Sequence, residues 1–136
     1  MLLADDHETV LERVSEILSD EFEVVGAVSD GAALRSAVAD LEPDVAVVDI
    51  AMPTHSGIEE PISGIEAVRQ LRDSGRPTKV VFLTVYDDPD LADKAREVGG
   101  LGYVIKSRLA LDLSVAVSEA LAGRSFVSPS TRLKST

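Results

Sequence analysis

The sequence predicts a doubly wound α/β domain, and three observations support this. Short apolar runs alternate with helical patterns five times along the chain. The runs are continuously apolar rather than alternating, which is typical of parallel strands buried on both faces. With 136 residues, 45% of them hydrophobic, the chain is long enough for one domain with a substantial core. This order of elements favours right-handed crossovers that place helices on both faces of the sheet.

Four apolar runs have the length and the β-branched content of strands. A shorter run at the N-terminus is a candidate fifth strand. The four runs are Phe22–Val28, Val45–Ile50, Lys79–Val85 and Gly102–Ile105, and the candidate is Met1–Ala4.

Helical periodicity fills the gaps between these runs. Apolar residues recur at three- and four-residue spacings in five segments, so each segment has one apolar face. Asp30 and either Asp87 or Asp88 stand where helix N-caps are expected, and Gly99 and Gly123 stand where helices end. The fourth segment is the least apolar, and we expect it to be the least firmly packed helix. The apolar positions are Val10, Leu11, Val14, Ile17 and Leu18; Leu34, Ala37, Val38 and Leu41; Ile65, Val68 and Leu71; Leu91, Ala95 and Val98; and Leu109, Leu113, Val117, Ala120 and Leu121.

Residues 54–67 contain two heptads, THSGIEE and PISGIEA, that share Ser-Gly-Ile-Glu in register. Either a short tandem duplication or chance explains the match, and repeats this short carry too little weight to decide between the two. Pro61 would break a helix begun at Gly57, so we expect an extended loop over 54–63 and a helix that begins near Ser63.

The C-terminal segment RSFVSPSTRLKST, residues 124–136, differs in composition from the rest of the chain. It has three basic residues, a proline and no acids. We expect a tail or linker outside the core, so the domain is predicted to span residues 1–123.

Charge and composition exclude several classes of partner and site. The formal net charge of −11 disfavours direct binding to nucleic acid or to anionic lipid surfaces. The chain has no cysteine, which excludes a disulfide framework and a thiolate metal site. No stretch is long and apolar enough to cross a membrane, so a cytoplasmic location is expected.

Polar side chains follow the predicted strands at the edge where this architecture binds ligands. Asp5 and Asp6 follow the first strand and Asp49 the third, while Thr84 and Lys106 end the fourth and fifth. Carboxylates crowded together resist ionisation unless a cation neutralises them, and Mg²⁺ prefers such oxygen ligands. A carboxylate can also accept a phosphoryl group, with Lys106 and Thr84 placed to contact the added oxygens. The pattern predicts that one of these aspartates is phosphorylated beside a metal ion, for which Mg²⁺ fits best.

Each of these residues also has an ordinary structural interpretation. Asp5 and Asp6 could cap a helix, Asp49 could end a strand in a turn, and Thr84 and Lys106 could be a normal strand residue and a solvated lysine. The joint spacing favours the functional interpretation. The two histidines, His7 and His55, are interpreted as surface residues without a catalytic or metal-binding partner.

The ordered motifs resemble the receiver domain of two-component response regulators, the CheY-like family, over residues 1 to about 123. The matching segments are LLADDH at 2–7, DVAVVDIAMP at 44–53, SGIEAVRQLR at 63–72, VVFLTVYDD at 80–88 and GYVIK at 102–106. The resemblance implies a flavodoxin-like fold with a five-stranded parallel sheet of order 2-1-3-4-5.

The resemblance also implies roles for individual residues. Asp49 would take a phosphoryl group from a sensor histidine kinase. Asp5, Asp6, Asp49 and the backbone carbonyl of Ala51 would bind Mg²⁺. Thr84 would be the switch hydroxyl, Lys106 the phosphate-pairing lysine, and Tyr103 the aromatic that turns inward on activation.

ADDH, the GYVIK motif without a following proline, and AGRSFVSPS resemble the NarL/FixJ group, also called LuxR-type. In that group, a linker joins the receiver to a helix-turn-helix DNA-binding domain. We therefore expect residues 124–136 to lead to such a domain, which this chain does not contain. Activation would then promote homodimerisation, or release the attached DNA-binding domain, and change transcription. DNA would be contacted only through the second domain.

Three departures from the family pattern affect expected details. Ser107 stands where many receivers have proline, so no cis peptide is expected there. Val85 is bulkier than the usual residue after the switch threonine, and the loop after Pro53 is longer than usual.

Two other functions are weighed against the switch. One is a receiver-like interaction module that works without phosphorylation. The other is an enzyme, although ADDHET lacks the phosphate loop of a flavodoxin and Ala51 stands where a haloacid-dehalogenase-type phosphatase needs an aspartate. The only catalysis expected of the chain is its own phosphoryl transfer and autodephosphorylation.

Overall fold

The computed structural model describes residues 1–51 and 63–129, which form alternating strands and helices. The strands are β1 (Leu2–Ala4), β2 (Gly26–Val28), β3 (Val45–Asp49), β4 (Lys79–Thr84), β5 (Gly102–Ile105) and β6 (Phe126–Val127). The helices are α1 (Glu8–Leu18), α2 (Gly31–Leu41), α3 (Ser63–Asp73), α4 (Pro89–Glu97) and α5 (Leu109–Leu121), with a 3-10 turn at Lys106–Arg108 before α5.

All strands of the described chain lie parallel in one sheet of order β2-β1-β3-β4-β5-β6. This confirms the doubly wound α/β fold and the predicted order of the first five strands. Among the described residues, no helix has the length and apolarity required to span a membrane.

Two apolar layers bury the sheet from both sides, which explains why the strands are continuously apolar. Side chains of one strand alternate between faces. In β4, Val80 and Phe82 pack in the layer that includes α2, α3 and α4. Val81 and Leu83 pack in the opposite layer, under α1 and α5.

Helix ends follow the predicted capping residues. Asp30 accepts a hydrogen bond from the backbone of Ala33 at the start of α2 (2.7 Å), and Asp88 caps α4 in the same way through Asp90. After α4, Gly99 has a φ of +94°, a conformation that glycine adopts readily. The neighbouring Gly100 packs against Phe82, and a Cβ there would lie 2.5 Å from the phenyl ring.

The fourth helix has the small apolar face that its sequence predicts. Within α4 the buried side chains are two alanines, Ala92 and Ala95. Because small side chains bury little area, this helix gains less from packing than its neighbours do.

Strand β2 is shorter than the predicted Phe22–Val28. The backbone of Phe22 donates to the carbonyl of Leu18 (2.8 Å) and so extends the turn that ends α1. The paired residues of β2 begin at Gly26, which pairs with Leu2. Strand β4 stops at Thr84, and Val85 beyond it is 65% exposed.

Helix α3 is described over Ser63–Asp73, and the predicted start of this helix borders residues that lie outside the described part of the chain. Residues 52–62, which include His55, Pro61 and most of the repeated heptads, lie outside the described residues. The peptide bonds that the structure describes are all trans, as expected for Ser107 in place of proline.

The expectation that the chain leaves the core after residue 123 is wrong for residues 126–128. Phe126–Val127 forms strand β6 beside β5. Ser128 is 2% exposed, and its backbone donates to the carbonyl of Tyr103 (2.8 Å). A serine- and proline-containing segment indicated a linker, whereas backbone pairing with β5 makes its first part the sixth strand.

A buried polar cluster fixes this added strand. The Ser128 hydroxyl accepts a hydrogen bond from the backbone of Ile105 (3.1 Å) and donates to Asp112 (2.7 Å). Arg108 donates to the same carboxylate from one turn earlier on the chain (2.7 Å). Burial disfavours the charged form of Asp112, but the bonds from Arg108 and Ser128 outweigh it, so the pKa of Asp112 lies below its ordinary value.

Replacing Ser128 with alanine should lower the free energy of unfolding by about 1–3 kcal/mol, because the buried Ile105 N–H and Asp112 oxygen lose their partner. Urea unfolding monitored by circular dichroism measures the change. Ser125→Ala removes an exposed hydroxyl and should change stability little. Equal stability of the two variants would mean that the cluster does not hold β6.

Candidate functional site

The register of the sheet brings the predicted residues to one edge. Ala4 of β1 pairs with Val48 of β3, so Asp5 follows at the level of Asp49. Asp49 pairs with Leu83, and Thr84 follows Leu83 as the last residue of β4. Lys106 comes directly after β5, beyond the pair formed by Thr84 and Ile105.

Lys106 lies between two buried carboxylates. Its Nζ is 2.9 Å from Asp5 Oδ2 and 3.3 Å from Asp49 Oδ2. Both aspartate side chains are 2% exposed, whereas that of Lys106 is 13% exposed. The predicted meeting of these three groups is confirmed, and the lysine is the cation that balances them.

The acids also form a group with the geometry of a metal site. Asp5, Asp6, His7 and Asp49 each offer one ligand atom, and these atoms all lie within 4.8 Å of one another. Three of the buried oxygens, Asp5 Oδ2, Asp6 Oδ1 and Asp49 Oδ2, accept no hydrogen bond from the described residues and have only ionic contacts with Lys106 or His7. Buried carboxylate oxygens crowded in one group are suited to a hard divalent cation, so the residues fit Mg²⁺.

The turn after β3 holds the Asp49 carboxylate in place. The backbone of Ala51 donates to Asp49 Oδ1 (3.1 Å). Gly64, at the start of α3, donates to the carbonyl of Ile50 (2.7 Å). A Cβ at Gly64 would lie 2.2 Å from the carbonyl oxygen of Asp49, so only glycine lets α3 approach the site this closely. The role of the Ala51 carbonyl as a ligand stays a prediction.

Burial and crowding change the protonation of the site. Burial first, and the charge of Asp5 second, raise the pKa of Asp49 to about 6, while Lys106 and the Ala51 N–H oppose this change. Burial alone would lower the pKa of Lys106, but its contacts with Asp5 and Asp49 raise it above the ordinary value. The site therefore holds a carboxylate whose charge is costly and an ammonium that stays charged.

His7 takes part in the site, which the sequence interpretation missed. It is a surface residue as predicted, with a 51% exposed side chain, yet its Nδ1 lies 3.1 Å from Asp5 Oδ1 and 3.0 Å from Asp6 Oδ1. The hydrogen bond to Asp5 is the main reason that the pKa of His7 is raised. Its position directly after two strand-end acids was the signal available in the sequence.

Thr84 and Tyr103 are connected through the backbone of Tyr86. The Thr84 hydroxyl accepts a hydrogen bond from the Tyr86 N–H (3.0 Å), and the Tyr103 hydroxyl donates to the Tyr86 carbonyl (2.7 Å). Tyr103 is 4% exposed, and burial raises its pKa to about 12. The Tyr103 ring therefore lies inside the domain, and its rotation on activation stays a prediction.

With this geometry established, the family follows from comparison. Residues 1–118 match the response regulator receiver domain family. The chain belongs to this family. It is a receiver domain of the type found in NarL, NreC and RcsB response regulators of two-component systems, and this is a signalling family rather than one of metabolic enzymes.

Relatives resemble the receiver in sequence and structure. Oxygen regulatory protein NreC of Staphylococcus carnosus is 31% identical over 131 residues, covering 95% of this chain and 58% of NreC. The receiver domain of the putative response regulator NarL of Mycobacterium tuberculosis superposes with a TM-score of 0.78 at 30% identity, over 90% of this chain and 95% of that one. The Salmonella typhimurium RcsB response regulator, described for its DNA interaction, superposes with a TM-score of 0.81 at 25% identity, over 94% of this chain and 64% of that one.

The receiver therefore spans little more than half the length of curated relatives such as NreC.

Asp49→Asn should stabilise the metal-free receiver at pH 7, since an amide has no charge to bury. The folded pKa of about 6 lies above the ordinary 3.8, so the folded state binds more protons than the unfolded state between these values. The stability of the unmodified protein should therefore fall as the pH rises through that window. Urea unfolding in EDTA at several pH values measures this.

The difference in free energy of unfolding between the unmodified receiver and Asp49→Asn should vanish toward pH 4 and reach about 1–3 kcal/mol at pH 7. Asp40 lies at an exposed position of α2, so for Asp40→Asn the difference in free energy of unfolding should not grow with pH. A difference independent of pH, or a less stable Asp49→Asn at pH 7, would contradict the buried charge.

Proposed function

We propose that Asp49 accepts a phosphoryl group from a phosphohistidine of a sensor histidine kinase, and that this controls an output. One observation carries the proposal: the buried Asp49 carboxylate, in ionic contact with Lys106, lies in the same acidic group as Asp5 and Asp6. Membership of the receiver family supports the histidine kinase as the partner.

In the transfer, a carboxylate oxygen of Asp49 attacks phosphorus in line as the bond to the histidine nitrogen breaks. A magnesium ion held by Asp5, Asp6, Asp49 and the Ala51 carbonyl would neutralise negative charge on the carboxylates and the phosphoryl oxygens. Lys106 supplies a second positive charge beside the attacking group. The Thr84 hydroxyl, which accepts a hydrogen bond from the Tyr86 N–H, would donate its proton to a phosphoryl oxygen.

The same contacts supply a path for a population shift. When Thr84 turns to a phosphoryl oxygen, the Tyr86 N–H loses its acceptor. Tyr86 also holds the Tyr103 hydroxyl, so the change passes from the β4–α4 loop to β5. The small apolar face of α4, next in the chain, leaves this helix little packing to lose when it moves.

The output proposed is transcriptional, through a DNA-binding domain joined after the receiver, with homodimerisation on activation and a cytoplasmic location. The matched length of NreC and the description of RcsB support this. The receiver would also hydrolyse its own acyl phosphate. The alternative is a partner-binding module that is never phosphorylated.

Incubation with Mg²⁺ and acetyl phosphate should add the mass of one phosphoryl group, measured on the intact protein. Asp49→Asn should lose the increment completely, because it removes the proposed acceptor carboxylate. Asp40→Asn is the matched control and should keep it. An unmodified wild-type chain would favour the interaction module, and a modified Asp49→Asn would refute the assignment of the acceptor.

Thr84→Val should keep phosphorylation but lose the change in tyrosine fluorescence that activation causes. Tyr86 and Tyr103 are the two tyrosines of the chain, and the chain has no tryptophan to mask their emission. Beryllium fluoride with Mg²⁺ serves as the phosphoryl mimic, and tyrosine emission is the measurement. We expect the valine variant to show less than about a third of the wild-type change.

Thr84→Ser restores the hydroxyl and should restore most of the change in emission. Sedimentation velocity of the same samples tests dimerisation. A full fluorescence response in Thr84→Val would remove the hydroxyl from the path.

A further inference from the structure

His7 places an imidazole nitrogen at the rim of the acidic pocket. Its Nδ1 lies within contact distance of one oxygen from Asp5 and one from Asp6. The backbone N–H of His7 also donates to Asp5 Oδ1 (2.8 Å), which fixes the main chain that carries the ring. The phosphoryl-transfer scheme above uses the acids, Lys106 and Thr84, and leaves this ring without a function.

The distances around His7 are those of neighbouring ligands in one coordination shell. In an octahedral shell with bonds of about 2.1 Å, adjacent ligand atoms lie about 3.0 Å apart and opposite ones about 4.2 Å apart. His7 Nδ1 is 3.1 Å from Asp5 Oδ1 and 3.0 Å from Asp6 Oδ1. The ligand atoms of the four residues spread over no more than 4.8 Å, so small side-chain movements would bring all of them onto one ion.

The buried side of the pocket also contains oxygens suited to bind an ion. Asp5 and Asp49 are 2% exposed, and their Oδ2 atoms accept no hydrogen bond from the described residues. The exposed imidazole would close the shell from the solvent side, with its proton on Nε2 so that Nδ1 offers a lone pair.

We propose that His7 Nδ1 is a direct metal ligand, so that the site prefers a divalent transition metal such as Mn²⁺ or Co²⁺ over Mg²⁺. Imidazole nitrogen adds affinity for transition metals, whereas Mg²⁺ favours an all-oxygen shell and retains water. This proposal rests on the metal site of the proposed function and specifies which ion that site selects.

Pulsed electron paramagnetic resonance of bound Mn²⁺ tests the contact directly, because a coordinated imidazole nitrogen modulates the electron spin echo. The modulation should be present in the wild-type chain and absent in His7→Ala. His55→Ala, which removes the other histidine of the chain, should keep it.

Isothermal titration supplies the second measurement. His7→Ala should weaken Mn²⁺ binding at least about fivefold and change Mg²⁺ binding less than twofold. His7→Phe keeps a ring of similar size and should behave like the alanine variant, which separates loss of the ligand from loss of packing.

The possible results lead to different conclusions. Bound Mn²⁺ without nitrogen modulation, or with modulation and affinity unchanged in His7→Ala, would overturn the proposal and leave the imidazole as a hydrogen-bonding partner of the acids. Absence of Mn²⁺ and Mg²⁺ binding in the wild-type chain would overturn both this proposal and the metal site on which the proposed function depends. Normal nitrogen coordination in a chain that acetyl phosphate cannot modify would support the ligand and refute only the phosphoryl switch.

Discussion

The crowding of buried carboxylates around one lysine is the constraint on which the rest of the site depends. Asp5 and Asp49 are taken out of water together, and Lys106 is the cation within contact of both. Buried charges of one sign are costly unless a counter-charge balances them. The lysine meets this demand only in part, because the pKa of Asp49 remains raised to about 6. An additional cation at the position where phosphorylation is proposed would therefore balance the remaining negative charge.

This arrangement is built into the sheet and is not isolated from the rest of the domain. Lys106 follows β5, the strand that also carries Tyr103 and that pairs with the added strand β6. Ser128 contacts both the end of β5 and Asp112 of α5, so β6 is fastened beside the end of β5 that leads into the site. A change at Lys106 or Tyr103 therefore acts on a strand whose other edge holds β6.

The sequence predicted most of the fold but only part of the side-chain contacts in the site. Continuous apolar runs and helical faces predicted the strands and helices, because both signals come from burial, which extends over whole elements. The order of the strands came from the family resemblance, because apolar runs do not specify which strands are neighbours. The strand-end position of Asp5, Asp49, Thr84 and Lys106 followed from the parallel topology. Strand β6 was missed because two residues carry no periodicity, and only tertiary pairing makes them a strand. The contact of His7 with the acids and the buried position of Tyr103 depend on side-chain rotamers, which residue spacing does not specify.

The most direct measurement of the central claim is the titration of the Asp49 carboxyl group by carbon NMR, in the metal-free receiver and in Lys106→Met. The account predicts a midpoint near pH 6 in the unmodified chain, as its raised pKa requires. In Lys106→Met the midpoint should rise further, because the neighbouring positive charge is gone. A midpoint near the ordinary 3.8 that does not respond to Lys106→Met would contradict the account, since Asp49 would then be neither desolvated nor balanced by the lysine.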